Sequence, residues 1–447
     1  MQKISIHIKK YIPYVLGVAL LVSCEQDAIE GPEPAAPLPA LSAGSLNLSK
    51  YVSLGNSLTA GYTDGALFKA SQQMSMPNLL AQKFAKAGGG TFSQPMMNDN
   101  NGGLLLAGNV IAGPRLFFNG AGPASLLTAN PAATPTTDIA TNNPSGPFNN
   151  MGVPGAKSYH LLAPGYGNIG NVALGLANPY FVRMASSPNA SVLADAMAQA
   201  PTFFSLWIGN NDALGYATTG GDGTNPLTPI FGAPGAGFDG TYGALIATLT
   251  AGGAKGVVAN IPYVTSVPFF TTVPTNPIPG LPAASAGQLN ALFGGINSAL
   301  AGAGLPARFV TLVADDANPA TVESNPLLIK DESLLNISSQ ITAALTPVLG
   351  APTAGYLGVL YGQARHASNA AASRDYILLT ARAVIGTTQT GAPSPFNTIG
   401  VSYPMQDNTT LTAAETAEVK TATDAYNATI LALANSKELA FVDANAA

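Results

Sequence analysis

The chain has 447 residues and a formal net charge of −5, and only 9% of its residues are charged, against about a quarter in an average globular domain. Hydrophobic residues make up 47%, which excludes the disorder that comes from charge repulsion with low hydrophobicity. The 18 Lys and Arg against 23 Asp and Glu leave no basic footprint for a nucleic-acid partner. The length allows two or three domains, or one large domain with insertions. With 48 glycines and 35 prolines, that fold should carry long, uncharged, turn-rich loops. A single cysteine, Cys24, excludes an internal disulfide and a cysteine zinc site. The three histidines, His7, His160 and His366, restrict any acid–base chemistry.

Residues 1–23 read as a signal peptide. Lys3, Lys9 and Lys10 form a positive start, and Tyr11 to Val22 is an apolar run of 12 residues, too short for a membrane span of ~20 residues. The run ends in Leu21-Val22-Ser23-Cys24, which resembles a bacterial lipobox, so Cys24 is the expected lipidation site and membrane attachment point. Loss of residues 1–23 removes three lysines and no acid, leaving 15 basic and 23 acidic residues, a net charge of −8. Residues 24–47, with Pro32, Pro34, Pro37 and Pro39, predict a stiff tether. The expected location is the cell envelope, on the outer membrane of a Gram-negative cell.

A single domain is expected over 48–447. Tyr51 to Leu54 predicts a strand closed by Gly55, and Met76 to Ala87 a helix. Residues 88–149 and 218–239 predict loop insertions. Phe203 to Ile208 reads as an apolar run that suits a buried parallel strand, and Gly256 to Ile261 as another buried strand. Between and after them, Tyr242 to Ala251 and Ala284 to Ala303 predict helices, Phe309 to Val313 a strand, and Ile377 to Leu379 a short strand. Thr412-Ala413-Ala414-Glu415 matches a capping box and opens a helix with apolar Val419, Ala422, Tyr426, Ile430 and Leu433. Leu439 to Asp443 predicts a last strand. Alternating strands and helices predict an α/β class: three layers, with a mainly parallel sheet between helices.

Three motifs follow predicted strand ends, where such a sheet places a site. Gly55-Asn56-Ser57-Leu58 sets a serine on a tight turn, exposed at a helix start or merely capping it. Asn150-Met151-Gly152-Val153-Pro154-Gly155 offers a glycine N–H for close approach, or a plain turn. Gly209-Asn210-Asn211-Asp212 offers a neutral carboxamide donor, or a polar cap. Asp315-Asp316 and Asp331-Glu332 read as solvated surface, since adjacent residues share no helix face. Trp207, inside an apolar run, reads as core.

In this order the three motifs resemble the blocks of the SGNH, or GDSL-type, hydrolase family. The resemblance implies a flavodoxin-like α/β/α fold and ester hydrolysis through an acyl-enzyme, with no metal or organic cofactor. Ser57 would be the nucleophile. Its own N–H, the Gly155 N–H and the Asn211 side chain would form the oxyanion hole. Two departures stand against it. Asn56 takes the place of the family's usual Asp, and the family's Asp-x-x-His block occurs nowhere in the chain. A serine without a base is a poor nucleophile at neutral pH. His160 lies five residues after Gly155, near the right region, and reads either as a structural or surface residue or as a recruited base; His366 precedes the last helix and strand, the wrong topological position. The simplest expectation is a sequence cut before that block, and therefore a chain nearly inactive as it stands.

The expected function is thus a membrane-anchored serine ester hydrolase acting on a lipid or acylated-glycan ester. The alternative is a non-catalytic surface lipoprotein that uses the same fold as a binding module or transporter accessory.

Overall fold

The computed structural model describes residues 41–447 except 121, 142 and 319. The expected signal peptide and the Cys24 anchor lie outside the described residues. Residues 43–447 form one unit. Its centre is a five-stranded, all-parallel sheet of β1 (Tyr51–Gly55), β2 (Asn150–Gly152), β3 (Phe203–Trp207), β4 (Lys255–Ala259) and β5 (Ala440–Val442), in the spatial order β2-β1-β3-β4-β5. The chain is a mixed α/β protein whose sheet is flanked by helices. The strand order reverses between β1 and β3, and the crevice beyond the carboxyl ends at such a switch point is where doubly wound sheets bind ligands.

The helices include α1 (Ser57–Ala60), α2 (Met76–Ala85), α3 (Asn210–Thr218), α4 (Phe238–Thr250), α5 (Ala283–Gly302), α6 (Ser338–Leu349), α7 (Ala351–Tyr361) and α8 (Ala413–Ser436), with other short helices and turns between them. The capping box at α8 forms: Glu415 accepts from the Thr412 N–H at 2.7 Å, and the Thr412 side chain caps the Glu415 N–H.

The period of two along each strand divides the sheet residues between two faces. Val52, Leu54, Phe204, Leu206 and Val258 enter the main core with Tyr242, Leu245 and Ile246 of α4 and Val419, Tyr426 and Ile430 of α8. On the other face Tyr51 and Phe203 pack with Ala81 and Phe84 of α2. That second face is only partly covered. Lys255, Ala440 and Val442 on it are exposed, although parallel sheets are normally buried on both sides.

A polar seam also runs inside this face. Ser205 Oγ donates to Ser53 Oγ at 2.9 Å, leaving the Tyr51 hydroxyl to donate to Ser205 at 2.7 Å. Burial pushes the Tyr51 hydroxyl pKa up to about 12, so it stays protonated. Ser53 stands opposite Ser205 in the β1–β3 register.

The chain between β4 and α8 builds a lobe around Phe293, Ile296, Leu300, Leu357 and Tyr361. The segment Phe309 to Val313, expected as a strand, belongs to no sheet. Side chains replace the ladder: Asn297 Oδ1 accepts from Arg308 and Phe309, His366 Nδ1 from Val310, Asn290 Oδ1 from Leu312 and Asn325 Oδ1 from Val313, at 2.7 to 3.2 Å. The expected strand at Ile377 to Leu379 shrinks to Tyr376–Ile377, antiparallel to Thr410–Leu411 and outside the main sheet. Within 88–149 the chain forms two antiparallel ribbons, Leu104–Leu106 with Asn109–Ala112 and Leu116–Phe118 with Pro123–Ser125. Among the described residues no helix is long and apolar enough to cross a membrane.

Candidate active site at the strand ends

Ser57 is separated from β1 by Asn56 alone and is the first residue of α1. Asn56 is buried, and its Oδ1 accepts the Leu58 N–H at 3.1 Å, capping the turn. Its Nδ2 donates to Asn210 Oδ1 at 3.3 Å, tying the β1 end to the β3 end. Ser57 is half-buried, and neither its hydroxyl nor its N–H has a hydrogen-bond partner among the described residues. A free N–H is expected in the first turn of a helix.

The turn sits low because β2 lets it. A Cβ placed on Gly152 would lie 2.4 Å from the Ala60 nitrogen and 2.7 Å from the Thr59 carbonyl carbon. Only glycine permits that approach. Asn150 fastens the same contact, donating to the Thr59 carbonyl at 3.1 Å and accepting from the Gly152 N–H at 3.0 Å. The sequence motif contained both residues, but singled out Gly155 alone.

After β2 the chain turns at Gly155, whose φ is +80°. There L side chains are strained, and the space around the missing Cβ is open, with Asn178 Nδ2 the nearest atom at 3.8 Å. The Gly155 N–H has no partner among the described residues. The following turn is held by α3: Asn211 Nδ2 donates to the Ala156 carbonyl at 2.8 Å. The fully buried Asp212 accepts from the Ser158 N–H at 2.8 Å and from the Ser158 hydroxyl at 2.6 Å. Burial holds the Asp212 carboxyl above the usual range, against the Ser158 hydrogen bonds. One Asn211 amide hydrogen is thus committed and the other remains available.

These contacts join the three motif loops at the carboxyl ends of β1, β2 and β3. The arrangement can present one hydroxyl with neutral N–H donors around it. Ser158 and Asp212 fix its geometry; Asp212 closes the third sequence motif without having been given a role there, and Ser158 carried no sequence signal.

Of the two described histidines, neither is hydrogen-bonded to Ser57. His160 Nδ1 accepts from the Lys157 N–H at 3.0 Å, so the ring proton sits on Nε2. The ring stacks on Tyr166 with centroids 4.4 Å apart. Burial, and then the Lys157 charge, lower its pKa to about 4. His366 is buried in the lobe, edge-on to Phe293 and Phe309, with Nδ1 accepting from Val310 and Nε2 unpartnered. Burial lowers it to about 4 as well.

Among the described residues two acidic groups could hold a cation by spacing, Asp315/Asp316/Glu323 and Glu332/Asp407/Glu415. In the second, burial, then the hydrogen bond and charge of Glu332 and the charge of Glu415, push Asp407 up to about 8. Asp331 is not the solvated residue expected. It is buried, and Arg365 Nε meets it at 2.6 Å while the same guanidinium grips Asp375 through two bonds of 2.6 and 2.7 Å. Trp207 is half-buried and donates from Nε1 to the Asn260 carbonyl at 3.0 Å. No protein-family model, curated protein or solved structure matches this chain.

Proposed function

We propose that the chain is an SGNH-type serine ester hydrolase, lipid-anchored through Cys24 at the cell envelope. The observation that carries the reading is the joining of the Ser57, Gly155 and Asn211 loops at the switch point of the sheet. In that reading Ser57 attacks the ester carbonyl. The N–H groups of Ser57 and Gly155 and the free amide hydrogen of Asn211 receive the oxyanion; the Ser57 hydroxyl proton passes to the departing alkoxide, which leaves as the alcohol while the acyl-enzyme forms, and water then releases the acid and restores the hydroxyl. Each such donor contributes about 3 kcal/mol to the transition state. An ester of a lipid or an acylated glycan suits a membrane-attached enzyme with uncharged loops.

A second reading, a binding module on the same fold, is favoured by the engagement of His160 Nδ1 and the burial of His366 away from Ser57. A short-chain aryl ester assay with added imidazole separates the two. The hydrolase reading expects slow turnover that rises with imidazole in the wild type and is lost in Ser57→Ala. Equal imidazole-dependent rates in both would sink it. For the anchor, Cys24→Ala should abolish incorporation of labelled fatty acid.

A further inference from the structure

The lobe between β4 and α8 has an unusual electrostatic character. No Asp, Glu, Lys, Arg or His occurs in residues 256–307 or 333–364, so α5, α6 and α7 carry no ionisable charge. A cavity of about 780 Å³ opens between α5, α6 and the loop 394–402, and none of its lining residues is charged. That volume falls within the ~300–1,000 Å³ of small-molecule sites. Its floor is Leu289 and Leu345 of the lobe core, and Leu292, Phe396 and Val401 pack beside them. Gln288, Ser285 and Asn397 also line it, and their side chains make no hydrogen bond among the described residues. These are neutral donors and acceptors at the edge of an apolar trough.

We propose that this cavity is a binding site for an uncharged amphiphile, a hydrocarbon chain ending in a hydroxyl, ester or amide. The uncharged lining selects an uncharged head. A carboxylate or ammonium head brought here would lose its hydration with no counter-ion in the lining, which is costly. A neutral polar head would meet the Gln288 and Asn397 carboxamides, and the chain would cover Leu289, Leu292, Leu345 and Val401. The site lies on different elements from Ser57 and does not depend on the hydrolase reading.

The test uses the full chain and Nile red, a neutral apolar dye, displaced by dodecanol or by dodecanoate at neutral pH. Dodecanol should displace the dye at a concentration at least about tenfold below that of dodecanoate, the charged head bearing the desolvation cost. Gly295→Phe fills the cavity from α5, where a Cβ meets only Leu345 Cδ2, at 3.9 Å. Ala344→Phe fills it from α6. Both should weaken dye and dodecanol binding by about tenfold or more. Gly294→Phe, one residue along and off the lining with open space at its Cβ, should leave binding unchanged. Equal displacement by dodecanol and dodecanoate would overturn the proposal. So would dye binding that both filling variants leave intact, or that Gly294→Phe weakens as much.

Discussion

The Asp212–Ser158 pair is the sharpest test of how the second motif loop is held. Asp212 is fully buried and takes two hydrogen bonds from one residue, at 2.8 Å from the N–H and 2.6 Å from the hydroxyl. Asp212→Asn keeps the shape but can offer only one acceptor oxygen, so one Ser158 donor faces an NH₂ group. Leaving a buried donor unsatisfied costs about 1–3 kcal/mol, and the lost bond adds roughly 1 kcal/mol. A loss of about 2–4 kcal/mol in urea unfolding is expected, with the m-value unchanged. Ser158→Ala removes only the hydroxyl bond and should cost about 1–2 kcal/mol. Because the two residues share that bond, the double variant should lose less than the sum, by about 1 kcal/mol or more. Additivity to within about 0.5 kcal/mol, or no loss in Asp212→Asn, would refute the claim that this carboxylate holds the loop.

Gly152→Ala and Gly155→Ala should differ in mechanism. The first drives a methyl into the α1 backbone and should cost more than about 2 kcal/mol, whereas the second only strains φ and should cost about 1 kcal/mol, both read by thermal unfolding. Asn297→Leu strips the acceptor from the Arg308 and Phe309 N–H groups and the donor to the Phe309 carbonyl, so a loss of about 3 kcal/mol or more is expected in urea unfolding. Asp407, pushed up to about 8 in the fold, keeps its proton there while the unfolded chain releases its own near pH ~4. Its contribution is therefore full at low pH and is lost as pH rises through about 8. Melting temperature followed over that interval should fall less steeply in Asp407→Asn than in the wild type.

The central strand β3 was legible because it is buried on both faces and reads as a nearly continuous apolar run from Phe203 to Leu206, broken only by Ser205. The long helix α8 was legible because its cap and its apolar period agree. The site motifs were legible because backbone turns at strand ends demand Gly and Asn at fixed places. Phe309 to Val313 misled for a physical reason: an apolar extended segment looks the same whether its N–H groups meet a neighbouring strand or the side chains of Asn290, Asn297, Asn325 and His366. Helices α6 and α7 went unpredicted: Pro347, Gly350 and Pro352 interrupt the helical pattern, yet Pro347 lies inside α6, Pro352 opens α7, and the chain reverses at Gly350 so that the Thr342 hydroxyl of α6 reaches the Ala354 carbonyl of α7. The buried state of Asp331 could not be read locally, since Arg365 and Asp375 lie far along the chain.

The hydroxyl seam of Tyr51, Ser205 and Ser53 works as a set-screw on the two strands that meet at the switch point. Apolar side chains on neighbouring strands tolerate small sliding, but two hydroxyl bonds in series hold at one offset only. A one-residue slip would also turn every side chain to the opposite face. With β1 and β3 locked level, their carboxyl ends finish at matched heights, and Asn56 arrives opposite Asn210. The seam lies several residues from any proposed reacting atom, yet it aligns the two loops across which a substrate would have to lie.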